Sequence, residues 1–564
     1  MNRCLIVLMA AALLAAACVS DDVDDADFSF PTAESADSLS LSISSLSVGK
    51  GGTTAQLTVT STAEWKTAAP AAWITLSAVS GLAGTSTLSV TVPSNDSYSR
   101  ASSVVFQAGK TQVGLAVVQE GALGGAAYSF GDTDSSDDNI AGTTFDRIIS
   151  IVFSSSGAAV SGDVNGIVTV SGNRVTVNNT TDEKIVYDLS GTAVDGCFKL
   201  YGARKQALRL NGLQLTNSEG AAINNQCKKR TFVIVEGSNS LADGASYHTP
   251  ADEDEKAAFF SEGQLIFCGP GRLSVTAKGK AGITSDDYVR FMSSPEIQVT
   301  STASHAVRGK DAIIVSAGKV EAATSADMKK GFSSDSLVRF EGGQTILKVS
   351  GSAAYDSEDK DYTGSAGIKA DKLFEMLGGQ LTVSNSGKGG KGISGDGPGV
   401  FQGGTVVVTT TGANYGNSSS GGGPGGRPGA SSGSDNSVSA KGVKFDGNLS
   451  FSGATVSVVC QSHEGIESKG TIDVTGGVIF SHASDDAINS AGNMTISGGY
   501  VGAWSSGNDG LDANGNCYIE DGVVYAIGSG SPEVAVDANT EKGFKLYVKG
   551  GMLVAIGGLE NGAS

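Results

Sequence analysis

The sequence predicts an all-β protein in which an N-terminal β-sandwich precedes a right-handed parallel β-helix. Two observations lead to this prediction. Short alternating strands separated by turn residues occupy about residues 39–121, and a repeat of about 23 residues with Val-, Ile- and Thr-rich strands fills the second half of the chain. Gly accounts for 79 of 564 residues without a three-residue period, which excludes collagen and suits tight corners between short strands.

The first residues have the layout of an export signal. Arg3 is followed by an apolar run that is too short to span a bilayer, and small residues precede Cys18 in AAAC. AAAC resembles a bacterial lipobox, which implies a signal peptide over 1–17 and a lipid on Cys18; an ordinary cleaved signal is the alternative. The acidic SDDVDD in the tether 18–38 resembles the surface-export signal of Bacteroidetes lipoproteins. It implies an outer-membrane lipoprotein on the cell surface, held to the membrane only by this anchor.

Charge and cysteine content exclude several classes of function. The net charge of −19 argues against a sequence-independent nucleic-acid binder, and it disfavours an anionic partner unless a cation bridges the two. The four His are scattered, so a transition-metal site is not expected. With Cys4 in the signal and Cys18 assigned to the lipid, five widely spaced Cys remain, an odd number that predicts buried free thiols. These are Cys197, Cys227, Cys268, Cys460 and Cys517.

The segment 39–121 has the strand spacing of an Ig-like β-sandwich. Its pattern EWKTAAPAAWITLSAVSG, followed by NDSYSRASSVVF and VVQEG, resembles a BACON domain, a Bacteroidetes-associated module that often precedes glycan-active domains. Trp65 and Trp73 flank a Pro-containing turn and could stack on sugar, although a buried Trp is the more common role. We therefore favour a spacer over a sugar-binding module.

A polar segment over 122–190 forms a linker and the start or cap of the β-helix, which is expected over 191–564. One aliphatic or aromatic anchor per repeat recurs there, mostly at intervals of 22–25 residues. Two longer intervals hold the insertion YDSEDKDYTG and a Gly-rich loop over 413–439. The form x-G-I, turn, strand, GG, strand predicts one coil per repeat. The anchors are Phe259, Ile283, Val307, Phe332, Ile368, Ile393, Val443, Ile466, Ile488, Leu511 and Val536.

Charged residues form two columns beside these anchors. Equivalent residues on adjacent coils lie about 4.8 Å apart, so stacked carboxylates repel unless a cation neutralises them. Oxygen ligands in that number favour calcium. The alternative is a solvated acidic face in which Lys441 and Lys444 pair with Glu464 and Glu467. The candidate calcium ligands are Glu464, Asp485, Asp486 and Asp509 before the anchors, and Glu467, Asn489, Asp512 and Asp537 after them.

Several phrases in this region, including LRLNGLQLTNSEGAAI, KGVKFDGNLSFSG, HEGIES, SDDAIN and NDGLDANGN, resemble the carbohydrate-binding parallel β-helix family related to pectate lyases. The resemblance implies a pectate-lyase-like solenoid that binds polysaccharide, acidic pectic chains included, with calcium and without catalysis. Ala487 departs from the usual Gly of the motif, and AVDANTEKG departs from its last acidic turn.

We therefore expect a surface glycan-binding lipoprotein with calcium as cofactor and polysaccharide as partner; other outer-membrane glycan-uptake proteins are further candidate partners. Lys391, Lys441 and Lys444 would pair with uronates. Tyr500, Trp504 and Tyr525 would stack on sugar faces, with packing between coils as the alternative for Trp504. Two other classes remain open: a calcium-dependent polysaccharide lyase with Lys441 or Lys444 as its base, and a structural adhesin.

Overall fold

The computed structural model describes residues 38–67, 70, 73–95, 100–109, 111–120, 137–140, 143–292, 295–416 and 437–564. Apart from 3₁₀ turns such as Thr540–Lys542, the regular elements of these residues are β-strands, as predicted. The signal 1–17, Cys18 and residues 417–436 of the Gly-rich loop lie outside the described residues. Within the described residues, no helix is both long enough and apolar enough to cross a membrane.

The N-terminal unit is a β-sandwich of two sheets with one core between them. The four-stranded sheet has the order Leu39–Leu41, Thr53–Ser61, Gly84–Val92, Thr75–Leu76. The five-stranded sheet has the order Ser45–Val48, Thr111–Gln119, Arg100–Ala108, Trp65–Thr67, Ser80–Gly81. Alternate residues such as Leu57, Val59, Leu88 and Val90 face inward and are fully buried, as period-two strands require.

Trp65 belongs to the core of this sandwich. Its ring is 1% exposed and lies 5.6 Å from the ring of Phe106. A Cβ on Gly81 would lie 2.6 Å from the Trp65 indole nitrogen, so only glycine leaves room for the ring there. The half-buried Trp73 packs against the same core. The interpretation of Trp65 as a packing residue is therefore confirmed, and its ring is not available for stacking on sugar.

The second unit is a β-solenoid of about 14 turns with three strands in a typical coil. In one coil these are Ile466–Ser468, Ile472–Val474 and Val478–Ala483, and we name the three faces that they build A, B and C. Face A is a 15-stranded sheet. Its strands are Val168–Ser171, Arg174–Asn179, Cys197–Gly202, Ile223–Asn225, Ala257–Ser261, Ala281–Ser285, Val307–Gly309, Lys330–Ser334, Ala366–Ala370, Lys391–Gly395, Lys441–Phe445, Ile466–Ser468, Ile488–Ser490, Leu511–Ala513 and Val536–Asp537.

Faces B and C together form a 26-stranded sheet that bends between the two strands of each coil. In the coils at both ends of the solenoid a single long strand can span both faces. The strands are Arg147–Phe153, Ala159–Ser161, Ile185–Ala193, Gln206–Thr216, Thr231–Glu236, Ser238–Ala242, Leu265–Cys268, Arg272–Ala277, Tyr288–Phe291, Glu296–Ser301, Ala312–Val315, Lys319–Thr324, Leu337–Phe340, Gln344–Val349, Leu373–Met376, Gln380–Asn385, Gly399–Phe401, Thr405–Thr410, Leu449–Phe451, Thr455–Cys460, Ile472–Val474, Val478–Ala483, Met494–Ser505, Cys517–Ile527, Leu546–Val548 and Met552–Ile556.

The anchor column predicted from the sequence is confirmed. Parallel register joins all eleven anchors from Phe259 to Val536, and each is buried. The column continues upstream through Ile223, Phe198 and Val175. Parallel pairing of the 26-stranded sheet already begins at Arg147, within the segment assigned to the linker and the start of the β-helix.

A glycine precedes seven of the eleven anchors and an alanine precedes the other four. At Gly442, face C leaves no room for a side chain. A Cβ on Gly442 would lie 2.3 Å from Val458 Cγ1. The register of face C places Ser481 and then Ala503 in the coils after Val458. Ala487, which departs from the Gly pattern, thus belongs to the coil in which the larger valine is replaced by alanine. The departure is accommodated by a smaller neighbour.

Both insertions leave the solenoid ladder unbroken. The first contains an antiparallel hairpin of Ala354–Asp356 and Asp361–Thr363, and the Gly-rich loop is closed at its base by a bridge between Tyr415 and Val438. The cysteines are free thiols; four are buried and Cys197 is half-buried, which agrees with the sequence-based expectation.

A short piece of the linker is docked on face B. The carboxylate of Asp138 is fully buried and accepts hydrogen bonds from Arg230 Nε at 2.8 Å, Tyr288 OH at 2.6 Å and Arg290 NH1 at 3.1 Å. Ile140 and Phe145 pack against apolar side chains of the same face. These residues therefore form part of the solenoid and not a free tether.

Candidate functional site

The predicted charged columns lie where the chain turns from face C to face A, which we call the C–A corner. Backbone N–H groups of one coil donate to the carbonyl oxygens of Glu464, Asp486 and Asp509 in the next coil, so these three residues stack. On face A, the register aligns the second column directly. Its members from Lys444 onward are Glu467, Asn489, Asp512 and Asp537.

A third column at this corner was missed by the sequence analysis, which included Asp485 alone. His463, Asp485 and Asn508 each stand three places before an anchor. Asn508 Nδ2 donates to Asp485 Oδ1 at 2.8 Å, and His463 Nδ1 lies 3.1 Å from Asp485 Oδ2. The alignment of HEGI, DDAI and NDGL carried this signal. His463, Glu464 and Asp485 have ligand atoms within 4.8 Å of one another, so they could hold a metal ion.

The acidic residues nearest the basic half of the ladder already have cationic partners. Lys441 Nζ lies 3.2 Å from Glu464 Oε2 and 2.5 Å from Glu467 Oε2, and Lys469 contacts the other oxygen of Glu467. Burial opposes ionisation of Glu464, but the contact with His463 and the charge of Lys441 outweigh it and lower its pKa to about 2. In this coil the salt-bridge alternative is right for Lys441.

The same alternative is wrong for Lys444, which contacts Asp446 and not Glu464 or Glu467. A lysine that acts as a general base needs a lowered pKa. Burial by itself would lower the pKa of Lys441, but the charges of Glu464 and Glu467 outweigh burial and raise it above its ordinary value. Lys441 therefore holds its proton, which is unfavourable for a general base.

The next two coils carry carboxylates with no such partner. Asp486 and Asp509 are 4% and 6% exposed, and Asp512 is half-buried. Across the described part of the chain, no Lys, Arg or His lies within ion-pair distance of these three residues or of Asp537. Their hydrogen bonds come from neutral groups. Asn489 Nδ2 donates to Asp486 Oδ2 at 2.9 Å and to Asp512 Oδ2 at 2.7 Å.

Backbone groups complete the contacts of this unpaired cluster. The N–H of Asp509 donates to Asp486 Oδ1 at 3.1 Å, and the N–H of Val534 donates to Asp509 Oδ1 at 2.6 Å. The N–H of Asn539 donates to Asp537 Oδ1 at 2.8 Å, and a hydrogen bond between Glu560 and Asp537 raises the pKa of Glu560. The outermost coil therefore has carboxyl groups in direct contact with each other.

Asp486, Asp509 and Asp512, the carboxylates without a cationic partner, have raised pKa values because they are buried and no positive charge stabilises their ionised form. Burial first, and then repulsion from neighbouring carboxylates, raises the pKa of Asp486 and of Asp509 to about 6. Burial together with Asp486 and Asp537 raises the pKa of Asp512 to about 8. Carboxylate oxygens from adjacent coils, with an amide between them, are the donors that a hard cation requires. The residues present therefore fit calcium.

The basic half of the ladder extends farther than the sequence analysis proposed. Upstream of Lys391, the same two columns contain Lys369, Lys330 and Arg308. Burial and the charges of Lys444 and Lys441 lower the pKa of Lys391 to about 8. Face A therefore changes from basic to acidic between the coils of Val443 and Ile466, as predicted.

The candidate aromatic residues lie on the outer side of face C. Trp504 is 44% exposed, and its ring stacks on that of His482 in the preceding coil, with centroids 4.2 Å apart and planes at 15°. It thus contacts the preceding coil and remains partly exposed, with Ile527 of the following coil in register beside it. Tyr500 and Tyr525 are also exposed, as is Phe480, which the sequence analysis did not include.

The stacked pair lies next to the unpaired carboxylates. His482 precedes Asp485 by three residues, and Trp504 precedes Asn508 by four. Three residues of extended chain span at most ~10 Å, so aromatic and acidic groups share one end of the face C strands. An acidic corner beside an exposed aromatic pair combines oxygen ligands for a cation with a surface on which a sugar ring can stack.

The second unit is thus a parallel β-solenoid with an acidic corner beside exposed aromatic residues, and it follows a β-sandwich. The chain belongs to the family of carbohydrate-binding domain-containing proteins, whose family model matches residues 171–487. A BACON model, described as a putative binding domain, N-terminal, matches residues 62–120. The protein is therefore a carbohydrate-binding protein with a BACON domain ahead of its solenoid, and polysaccharide is its partner.

Two solved structures are similar over part of the chain. The polysaccharide lyase-like protein from C. thermocellum is 19% identical, with 47% of this chain and 92% of that chain covered and a TM-score of 0.33. The Bacteroides ovatus GH5 xyloglucanase in complex with a XXXG heptasaccharide is 17% identical, with 27% and 37% covered and a TM-score of 0.16. No curated protein matches the chain. At these TM-scores neither structure bears on the site.

Proposed function

We propose that this protein is a cell-surface lipoprotein that binds acidic polysaccharide through calcium at the C–A corner and does not catalyse its cleavage. One observation carries the proposal. Asp486, Asp509 and Asp512 stack in consecutive coils without a cationic partner in the described chain, whereas Glu464 and Glu467 one coil away have several.

The candidate ligands are the oxygens of Asp486 and Asp512, with Asn489 between them and Asp509 adjoining. Asn489 places one nitrogen against both carboxylates, and rotation of its amide would present an oxygen to a cation instead. Bound calcium supplies positive charge that can face carboxylates on the protein and on a uronate at the same time. This arrangement reconciles a protein of net charge −19 with an anionic glycan.

The neighbouring groups would position the glycan. Lys391 is half-buried beside Lys441 and Lys444, and no carboxylate of the described residues forms an ion pair with it. It can therefore accept a uronate carboxylate farther along the chain. On the other side of the corner, the exposed part of Trp504 offers an aromatic surface for a sugar ring.

Calcium titration tests the proposal. Calcium should raise the melting temperature, because it binds the folded corner and not the unfolded chain. Asp486→Asn and Asp509→Asn should each abolish most of that rise, slightly stabilise the calcium-free protein and weaken retention in a polygalacturonate affinity gel. The stabilisation is diagnostic, since loss of a salt-bridged carboxylate would destabilise the protein instead.

Asp473→Asn is the matched control, because Asp473 lies on face B in the same coils and away from the corner. It should leave both the calcium-induced shift and the retention unchanged. If calcium alters neither melting nor retention of the wild type, the corner is a solvated acidic face and the proposal is wrong.

Absence of catalysis has its own measurement. Lys441 is ion-paired to two carboxylates, and Lys444 contacts Asp446, so neither is free to remove a proton. Polygalacturonate incubated with the protein and calcium should develop no absorbance from unsaturated products. A steady rise that Lys441→Met or Lys444→Met abolishes would instead establish a lyase.

The membrane anchor is tested separately. AAAC at Cys18 and the acidic SDDVDD support a lipid anchor on the outer surface. Cys18→Ser should release the protein from the membrane fraction or leave it inside the cell, as followed by fractionation and by digestion of intact cells with external protease. Retention of Cys18→Ser protein in a protease-accessible membrane fraction would exclude the anchor.

A further inference from the structure

The middle coils carry a groove that the site described above does not use. It has a volume of about 290 Å³ and follows the C-terminal ends of the face C strands across five coils, upstream of the coils that carry the candidate calcium ligands. Hydroxyl side chains and a single lysine dominate its lining. They include Thr300, Ser325, Lys348, Ser350, Ser384 and Thr409.

The groove and the His482–Trp504 pair lie on one line. Parallel register joins Thr300 to Ala323 and Lys348, then to Ser384 and Thr409. The same column continues through Val459 to His482 and Trp504. The cavity is therefore the upstream part of a surface that includes the aromatic pair beside the C–A corner and continues to Ile527.

The chemistry of this line suits an extended sugar chain. Serine and threonine hydroxyls both donate and accept hydrogen bonds, as sugar hydroxyls do, and threonine methyl groups provide apolar contact. Lys348 is exposed, and no carboxylate in the described chain lies within ion-pair distance of it. Its ammonium group is thus free for an anionic substituent of a ligand.

We infer that this groove is an extended subsite for a carboxylate-bearing polysaccharide that lies parallel to the solenoid axis. Lys348 binds a carboxylate of that polysaccharide several coils away from the candidate calcium ligands at the C–A corner, called the calcium corner below. The inference rests on the proposed function for the nature of the glycan. Lys348 and Trp504 are separated by five coil spacings of ~4.8 Å, or about 24 Å. A trimer is shorter than this distance, and a decamer is longer.

Oligogalacturonates of these two lengths, titrated in calcium, provide the test. The decamer should bind wild-type protein at least tenfold more tightly than the trimer. Lys348→Glu should remove most of that advantage while leaving the affinity for the trimer and the calcium-induced melting shift unchanged. Lys310→Glu is the matched control, because Lys310 is an exposed lysine beside face A and outside the groove, and the charge change is the same.

The outcomes separate the groove from the calcium corner. Equal affinities for trimer and decamer, or equal effects of Lys348→Glu and Lys310→Glu, would overturn the groove and leave the corner intact. A Lys348→Glu effect that persists in chelator, together with an Asp486→Asn variant that binds normally, would overturn the calcium corner and support the groove. Failure of both oligomers to bind in calcium would overturn both.

Discussion

Two adjacent parts of the C–A corner have the same backbone geometry but differ in how their carboxylates are neutralised. In the coil of Ile466, Glu464 and Glu467 are neutralised by Lys441, and Glu464 also contacts His463. In the following coils, Asp486 and Asp512 accept hydrogen bonds from neutral groups, among them the amide of Asn489 that they share. Stacked acidic residues in the same solenoid are thus neutralised in one coil and lack a cationic partner in the next. The residue that the neighbouring coil contributes makes this difference.

The largest effect should come from the neutralised part. Glu467 is 1% exposed and contacts both Lys441 and Lys469, so Glu467→Gln leaves buried positive charge without its partner. We expect a loss of about 3 kcal/mol in the free energy of unfolding, with or without calcium. Urea denaturation measures it, with Glu520→Gln in the exposed pair with Lys549 as a control that should change little. If Glu467→Gln instead stabilises the protein, Glu467 carries uncompensated charge as Asp486 and Asp512 do, and the two parts of the corner do not differ.

The pH dependence of the two parts should have opposite signs. The pKa of Asp512 is about 8 in the folded protein and about 4 in the unfolded chain, so the folded state holds the extra proton in between. Asp512 alone should therefore lower the stability of the calcium-free protein as the pH rises from about 4 to about 8, by at most about 1.4 kcal/mol per pH unit, and Asp486 and Asp509 contribute with the same sign up to about pH 6. Asp512→Asn and saturating calcium should each flatten this slope.

For Glu464, with a folded pKa of about 2, the sign reverses. Its contribution is complete above its ordinary pKa and is lost as the pH falls toward about 2. Unfolding curves of wild type, Asp512→Asn and Glu464→Gln between acidic and neutral pH separate the two contributions. An Asp512→Asn profile parallel to that of the wild type would contradict the assignment of uncompensated charge.

The smallest effect is expected at Lys444. Its partner Asp446 is largely exposed, and surface pairs of this kind contribute ~0–1 kcal/mol. Lys444→Gln should therefore change the free energy of unfolding by less than about 0.5 kcal/mol, whereas Lys441→Gln should cost several times more. Comparable losses of stability for both variants would mean that Lys441 and Lys444 belong to one interaction network, and not to a buried and an exposed ion pair.

Most of the solenoid could be predicted because each coil repeats the same local requirement. A small residue, Gly or Ala, stands before each of the eleven anchors, as at Gly442 and Val443. The coils of Phe198 and Ile223 lie beyond a 36-residue interval between Ile223 and Phe259, and Phe198 follows Cys197 where the detected anchors follow Gly or Ala. The repeat is therefore weakest at this upstream end.

The site was predictable only in part, because its partners are set by three-dimensional neighbours. The two acidic columns followed from spacing, but which carboxylates are neutralised depends on how far Lys441 and His463 reach across coils. The groove at Lys348 left no sequence signal, since Ser and Thr are ordinary on the outer side of a strand. Its continuity with Trp504 appears only once the register of face C is known.

The buried carboxylate of Asp138 determines which part of the chain can be transferred to another protein as one folded unit. A fragment that starts at Arg147 keeps every solenoid strand but lacks the carboxylate that joins the guanidinium groups of Arg230 and Arg290, and leaves Arg290 with Glu341. It also uncovers the apolar side chains of face B that Ile140 and Phe145 pack against. A graft behind another module should therefore carry Asp138 and the residues that lead from it to the first strand.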